Sequence, residues 1–340
     1  MSKSSEQKII NILKILQNNN KPACSIIISR QMLELGFDLS ERTIRYYLQK
    51  MDYQGLTENL GKRGRIITPK GINELKSAFV FEKVGFIASK IDFLTYQMDF
   101  SLQKLKGTII INLTTFNKQF FNKAFKQIES VFQAGLGMGK FLTISHPGDT
   151  IGNIIIDEDR VAIGTVCSVT INGIFLKEGI NISSRFGGVL EISKGHPLRF
   201  TDIINYNGTS IDPLEIFIKG GMTSIREIIS TGSGKIGASF REFPSIAMPK
   251  VEKIKKRLDD IGLGGILLIG KPGQPLLDIP VPDGRVGMIV AGGLNPIAAV
   301  EESGIPTENE ALKTIYDFNE MKLYTKVDLF NTPFRMIRRD

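Results

Sequence analysis

Arg42, Thr43, Arg45, Tyr46 and Gln49 stand within one short stretch of this chain, and Lys62, Arg63 and Arg65 follow shortly after it. A guanidinium or a primary amide can make two parallel hydrogen bonds to a purine edge, and lysine or arginine can meet a phosphate oxygen. The spacing decides whether these groups can act together. At roughly 100° per residue on a helix, Arg42, Arg45, Tyr46 and Gln49 project from one side, opposite an apolar stripe of Ile44, Tyr47, Leu48 and Met51. Gly61 and Gly64 permit a tight turn that would carry Lys62, Arg63 and Arg65 at the tip of a hairpin.

A polar face opposite an apolar stripe often does no more than meet solvent, so the neighbouring elements matter. Ser40 is placed to cap the helix. Helical patterns precede it over residues 6–17 and 25–35, and Thr68 followed by Pro69 is the start signal of a further helix. The order helix, helix, helix, wing, helix predicts a winged helix-turn-helix over residues 1–78. Charge agrees: residues 1–76 hold 13 Lys or Arg against 7 Asp or Glu, while the remainder holds 30 against 28. A basic module beside a nearly neutral one is the footprint of a nucleic-acid binder.

The other residues with chemical potential are sparse. Two cysteines and two histidines among 340 residues exclude a close-spaced zinc cluster or a disulfide framework, and reduced thiols are expected. No apolar run approaches the roughly 20 residues that span a bilayer, and the first ten residues are too polar for a secretory signal, which points to the cytoplasm. Gly232-Ser233-Gly234-Lys235 lacks the remaining positions of a phosphate loop, and Gly135, Gly137 and Gly139 follow a helix rather than a strand. His146 and His196 precede prolines with no nucleophile beside them. Two segments remain. Residues 164–173, GTVCSVTING, end a strand and open a helix, which presents free N–H groups to an anion. Arg185 beside Gly187 and Gly188 could grip a carboxylate, although a structural ion pair explains it equally well, as a core position explains Cys167.

From about residue 85 the chain alternates strands and helices and repeats itself. Residues 147–180 align without gaps to residues 272–305, matching Pro147, Gly148, Arg160, Val161, Gly179 and Ile180 to Pro272, Gly273, Arg285, Val286, Gly304 and Ile305. Residues 107–116 resemble 234–243, and residues 91–94 resemble 211–214. These relations predict a duplicated α/β (α+β) domain over residues 79–325, with halves at about 85–195 and 205–320 and a cleft between them. Residues 326–340, with Arg335, Arg338 and Arg339, form a basic tail without an assigned role.

The segments GTVCSVTINGIFLKEGI, SRFGGVLEI, YNGTSIDPLEIFIKGGMTS, GASFREFP and AGGLNPIAAVEE occur in the order found in the NrpR family of archaeal nitrogen-regulation repressors, which this chain resembles over nearly its whole length. The resemblance implies a dimeric repressor, without catalytic activity or cofactor, that binds a palindromic operator in double-stranded DNA. It further implies release from DNA by 2-oxoglutarate, with Cys167 lining the effector pocket and Thr165, Ser168, Thr170 and Arg185 beside it. A ligand with two carboxylates needs a cation, and Arg185, Lys177 and Arg241 are the ones expected to supply it. The competing reading is a DNA-tethered enzyme acting on a small organic acid in the cleft. An RNA-binding role fits less well, because the interleaved exposed aromatics of single-strand binders are missing.

Overall fold

A computed structural model describes residues 3–19, 21–78, 87–151 and 154–327. The chain forms two compact units, Met1–Gly85 and Phe86–Asp340. The basic segment of the C-terminal tail lies outside the described residues.

The first unit runs α1 (Lys3–Asn18), α2 (Ser25–Glu34), α3 (Glu41–Tyr53), β1 (Thr57–Asn59), β2 (Arg65–Ile67) and α4 (Pro69–Ala78). Its helices close on one apolar cluster that includes Ile12, Leu13, Ile28, Met32, Ile44, Leu48, Met51 and Leu75. The expected stripe of α3 is buried, and the Ser40 hydroxyl accepts from the Thr43 N–H at 3.2 Å, as a cap should. β1 and β2 pair antiparallel with Asn59 opposite Arg65, and a short helical turn, Gly61–Arg63, makes the tip. The wing is tied back to the α1–α2 connection by reciprocal bonds between Ala23 and Arg65, at 2.9 and 3.0 Å. That approach explains Gly64. Its φ is +103°, and a Cβ there would stand 2.5 Å from the Ala23 carbonyl oxygen.

The second unit holds the duplication. Its first half runs α5 (Ile87–Gln97), β3 (Thr108–Asn117), α6 (Phe121–Gln133), β4 (Phe141–Ser145), β5 (Thr150–Ile151), β6 (Ile154–Ile155), β7 (Arg160–Val166), α7 (Thr170–Lys177), β8 (Ser183–Ser193) and β9 (His196–Asn205). The second runs α8 (Pro213–Lys219), α9 (Ile225–Thr231), β10 (Gly234–Pro244), α10 (Met248–Asp260), β11 (Ile266–Ile269), β12 (Arg285–Ala291), α11 (Asn295–Glu302), β13 (Glu308–Asp317) and β14 (Lys322–Leu323). The halves correspond from β3 to β8 and from β10 to β13, except that β5 and β6 have no counterpart strands, and the edge strands β9 and β14 are not equivalent. The short match of residues 91–94 to 211–214 does not extend this correspondence, since Asp92 sits inside α5 whereas Asp212 caps α8.

The halves are not two bodies facing across a cleft, because they exchange strands. One sheet has the order β13-β3-β7-β4-β14 and the other β11-β12-β10-β8-β9, with every named pairing antiparallel. Each sheet thus takes three strands from one half and two from the other. The apolar clusters are shared in the same way: Ile110, Val166 and Ile174 pack in one cluster with Val251, Leu258 and Val290. Burying these faces requires both halves at once.

The repeated residues now have physical reasons. Arg160 donates from Nη2 to the Thr115 carbonyl of β3 at 3.0 Å and pairs through Nη1 with Glu308 of the exchanged β13 at 2.8 Å. Arg285 donates from Nη2 to the Glu242 carbonyl of β10 at 2.8 Å and to the Ser183 hydroxyl of the exchanged β8 at 3.0 Å. Each arginine therefore fastens the incoming strand to its host sheet. Gly179 and Gly304, at φ +75° and +83°, end α7 and α11 in the left-handed conformation, and the following Ile180 and Ile305 are buried.

Candidate functional site

On α3, Arg42, Arg45, Tyr46 and Gln49 are exposed and Thr43 is half-buried at the cap. Arg45 pairs with Glu41 one turn back and holds that carboxyl below the usual carboxylate range. The pair is on the surface, so the guanidinium can exchange partners at little cost. Tyr46 is 64% exposed and Tyr53, at the end of α3, is 94% exposed. Tyr53 was not among the expected contact residues, although its spacing of four from Gln49 and seven from Tyr46 continues the outer face of α3. Lys62 and Arg63 are exposed on the wing tip. Arg65 differs: its Nε donates to Asp52 Oδ2 at 2.8 Å, and both side chains are largely buried. Arg65 is committed to joining the wing to α3, leaving Lys62 and Arg63 as the outward charges of the hairpin.

In the second unit, Arg241 is buried to 0% exposure on β10. Its Nε donates to Ser239 Oγ at 3.2 Å, Nη1 to the Ser168 carbonyl at 2.9 Å and to Asn172 Oδ1, and Nη2 to Ser168 Oγ at 2.9 Å. Among the described residues Arg241 has no ion pair. Its partners are neutral, so burial lowers its pKa. The nearest electrostatic company is Tyr206, Cys167 and Asp212, all buried. Burial pushes the Cys167 thiol up to about 12, which keeps it protonated and a poor nucleophile. Burial also pushes the Asp212 carboxyl up to about 7, so near neutral pH it is only partly ionised and a weak counter-charge. A desolvated cation with so little compensation is suited to receiving an anion.

The expected effector residues divide accordingly. Ser168 touches Arg241 directly, and Cys167 precedes it in the chain. Thr165 donates to the Gly293 carbonyl at 2.9 Å, and Thr170 bonds both backbone groups of Ile110. Lys177 is exposed at the end of α7. Arg185 pairs with Glu242 at 2.7 Å and donates to the Pro280 carbonyl at 2.8 Å. Arg241 and Ser168 are brought together; Lys177 is exposed and Arg185 bonds elsewhere. Asn172, within the expected segment 164–173, and Ser239, Tyr206 and Asp212 complete the constellation; the last three were not singled out as site residues, since only the tertiary fold brings them to the β7–α7 junction. The junction is closed rather than a cleft: a Cβ on Gly293 would lie 2.3 Å from the Val166 carbonyl oxygen. A separate cavity of about 250 Å³ lies where the loops after α6 and α10 meet, lined by Gly137, Gly139, Gly264 and Ile266, and no expected effector residue borders it.

Beside Cys167, Leu312 holds a left-handed backbone at φ +52° where β13 slips register, its N–H given to Asn112 Oδ1 at 3.2 Å. Non-glycine residues in this region are held there by their surroundings. Among the described residues no cluster of His, Cys, Asp and Glu could hold a metal ion, and no helix is long and apolar enough to cross a membrane.

The model of the NrpR regulatory domains NRD1 and 2 matches residues 84–323, the whole of the strand-exchanged duplication. The chain belongs to the NrpR family. It is 34% identical over 317 residues to the global nitrogen regulator NrpRI of Methanosarcina mazei, covering 93% of this chain and 98% of that one. It is 31% identical to the global nitrogen regulator NrpR of Methanococcus maripaludis, covering 93% of this chain but 55% of that longer protein. The crystal structure of a nitrogen repressor-like protein from Methanococcus jannaschii superposes with a TM-score of 0.61 at 29% identity, covering 71% of this chain and 100% of that one. Residues 10–75 match the winged-helix domain of ribonuclease R, which agrees with the helix order and wing of the first unit. Residues 10–75 and 84–323 of this NrpR-family chain thus match a winged helix and the NrpR regulatory domains in turn.

Proposed function

We propose that this chain is a transcriptional repressor of nitrogen-assimilation genes that binds palindromic operator DNA as a homodimer and leaves it when 2-oxoglutarate occupies the regulatory domain. The names of its relatives support nitrogen regulation, and the winged helix supports DNA as the target. The observation that carries the effector reading is Arg241, a fully buried cation with only neutral hydrogen-bond partners, at the strand end that carries Cys167. One carboxylate of 2-oxoglutarate would meet the guanidinium, and the Ser168 and Ser239 hydroxyls would serve the remaining oxygens. Cys167 packs against the ligand as a neutral thiol.

Release is a population shift. Half-sites read by two recognition helices lie about 34 Å apart, so a small rotation of one protomer takes its helix out of register. The effector need only bind the non-operator geometry more tightly, by roughly 1–3 kcal/mol. A mobility-shift assay on promoters of nitrogen-assimilation genes, with and without 2-oxoglutarate, tests the reading, with the ligand recovered afterwards. Retarded DNA that is freed by unaltered 2-oxoglutarate supports it. Consumption of the ligand would favour the DNA-tethered enzyme, and retardation indifferent to 2-oxoglutarate would end the effector assignment.

A further inference from the structure

The two sheets share four equivalent strands and differ in where the fifth one sits. β13-β3-β7-β4 corresponds to β8-β10-β12-β11, but β14 pairs beyond β4 whereas β9 pairs beyond β8. Lys322 of β14 lies opposite Leu142, and Leu323 opposite Phe141. Leu142 pairs with Thr165 and Ile266 with Val290, and the match of Arg160 to Arg285 makes Thr165 and Val290 equivalent. The counterpart of the β14 seat is therefore the outer edge of β11 at Gly265 and Ile266, where no described strand pairs.

That seat has room and an unprotected edge. Gly262 and Gly135 hold equivalent places, each two residues past a helix of 13 residues. A Cβ on Gly262 would meet Leu323 Cδ2 of β14 at 3.6 Å, whereas a Cβ on Gly135 would meet nothing within 4 Å. The space beside Gly135 is the cavity of about 250 Å³, and Gly264, Gly265, Ile266 and Leu267 form the wall that carries the edge. β11 is Ile-Leu-Leu-Ile, without a charge or a proline, whereas β9, an edge of the same sheet, carries Pro197, Arg199 and Asp202. Prolines and charges keep a sheet edge from pairing, and an apolar edge without them accepts another strand.

We propose that residues 334–337 of this same chain, Phe-Arg-Met-Ile, fill the seat as an added strand of the second sheet. The described chain arrives beside it: the Tyr324 N–H donates to the Lys140 carbonyl at 3.0 Å, and Lys140 borders the cavity. The nine residues from 328 to 336 reach roughly 30 Å when extended, ample for the crossing. Past Pro333 the alternation of Phe334 and Met336 with Arg335 and Ile337 suits a strand with one side against protein. Charge agrees as well. Asp259, which pairs with Lys255 on the surface, borders the cavity and exposed Asp260 follows it, a complement to Arg335, Arg338 and Arg339. This gives the basic tail a place on the regulatory domain, independently of the operator and effector readings.

Hydrogen–deuterium exchange on the full-length protein tests the proposal. The amides of residues 265–269 are expected to exchange at least tenfold more slowly in the wild type than in Met336→Pro, which loses a ladder donor, while Met336→Leu keeps the protection. A photoreactive benzoylphenylalanine in place of Phe334 should crosslink within its own chain, to residues 135–140 or 262–267, with or without operator DNA. The crosslink map is read on chains with Met336 intact, so it stands even if Met336→Pro does not fold. Equal exchange in the wild type and Met336→Pro would overturn the proposal. Crosslinks confined to residues 1–78, to a second copy or to DNA would overturn it too.

Discussion

Arg241 carries its charge where water does not reach, and the groups around it share the consequences. Asp212 is the most sensitive of them. Its carboxyl is pushed from 3.8 to about 7 by burial, so the folded chain keeps a proton that the unfolded chain has already released. That contribution to stability is complete below about pH 4 and is lost as pH rises through about 7, on the order of 4 kcal/mol in all. Glu215 is raised by burial too and adds a slope of the same sign. Urea melts should therefore show the wild type less stable at pH 8 than at pH 5.5, and Asp212→Asn, which can still cap α8, should flatten most of that difference. A slope unchanged by Asp212→Asn would assign the proton to another group. The sequence could name Arg241, Arg185 and Lys177 as cations of interest, but not choose among them, because their burial depends on which strands become neighbours. Only Arg241 ends up desolvated.

The elements of the first unit were more legible. Local signals set α3 and its neighbours: the Ser40 cap, the buried stripe, Gly61 and Gly64 around the wing tip, and Thr68 before Pro69. What local pattern could not convey was the Arg65–Asp52 pair, a contact between the wing and α3. Arg45→Ala is predicted to weaken operator binding by roughly 1–3 kcal/mol with loss of sequence preference, as a base-edge contact would. Lys62→Ala should weaken binding to all sequences alike and make the salt dependence shallower by about one unit. Fluorescence anisotropy on operator and scrambled DNA across a salt series separates the two; equal loss of preference in both variants would contradict this division. In the second unit, Arg160 and Arg285 fasten exchanged strands, but their partners differ in burial. Glu308 has a side chain 75% exposed and Glu242 one 6% exposed. Arg160→Met should cost about 1 kcal/mol, and Arg285→Met about 3 kcal/mol because it leaves a buried carboxylate short of a partner. Denaturant midpoints of the two variants check the order, and a larger loss from Arg160→Met would contradict it.

At the scale of the whole chain, duplication was readable from residues 147–180 and 272–305, whereas the exchange of strands was not. A repeat shows which segments share a structure, but the sheet in which each strand finds its partner is set by non-local pairing. The expected cleft gave way to a shared core for that reason, and the strand end expected to meet an effector, residues 164–173, meets β10 inside that core. Coupling between that site and the winged helix is the central claim, and linkage tests it directly. If 2-oxoglutarate lowers operator affinity by some factor, operator DNA must lower 2-oxoglutarate affinity by the same factor. The measurement is the dissociation constant of 2-oxoglutarate for the full-length protein, free and saturated with operator. The account predicts weakening of roughly 5- to 150-fold in the DNA complex, equal to the loss of operator affinity caused by the ligand. An unchanged constant, with operator bound throughout, would contradict it.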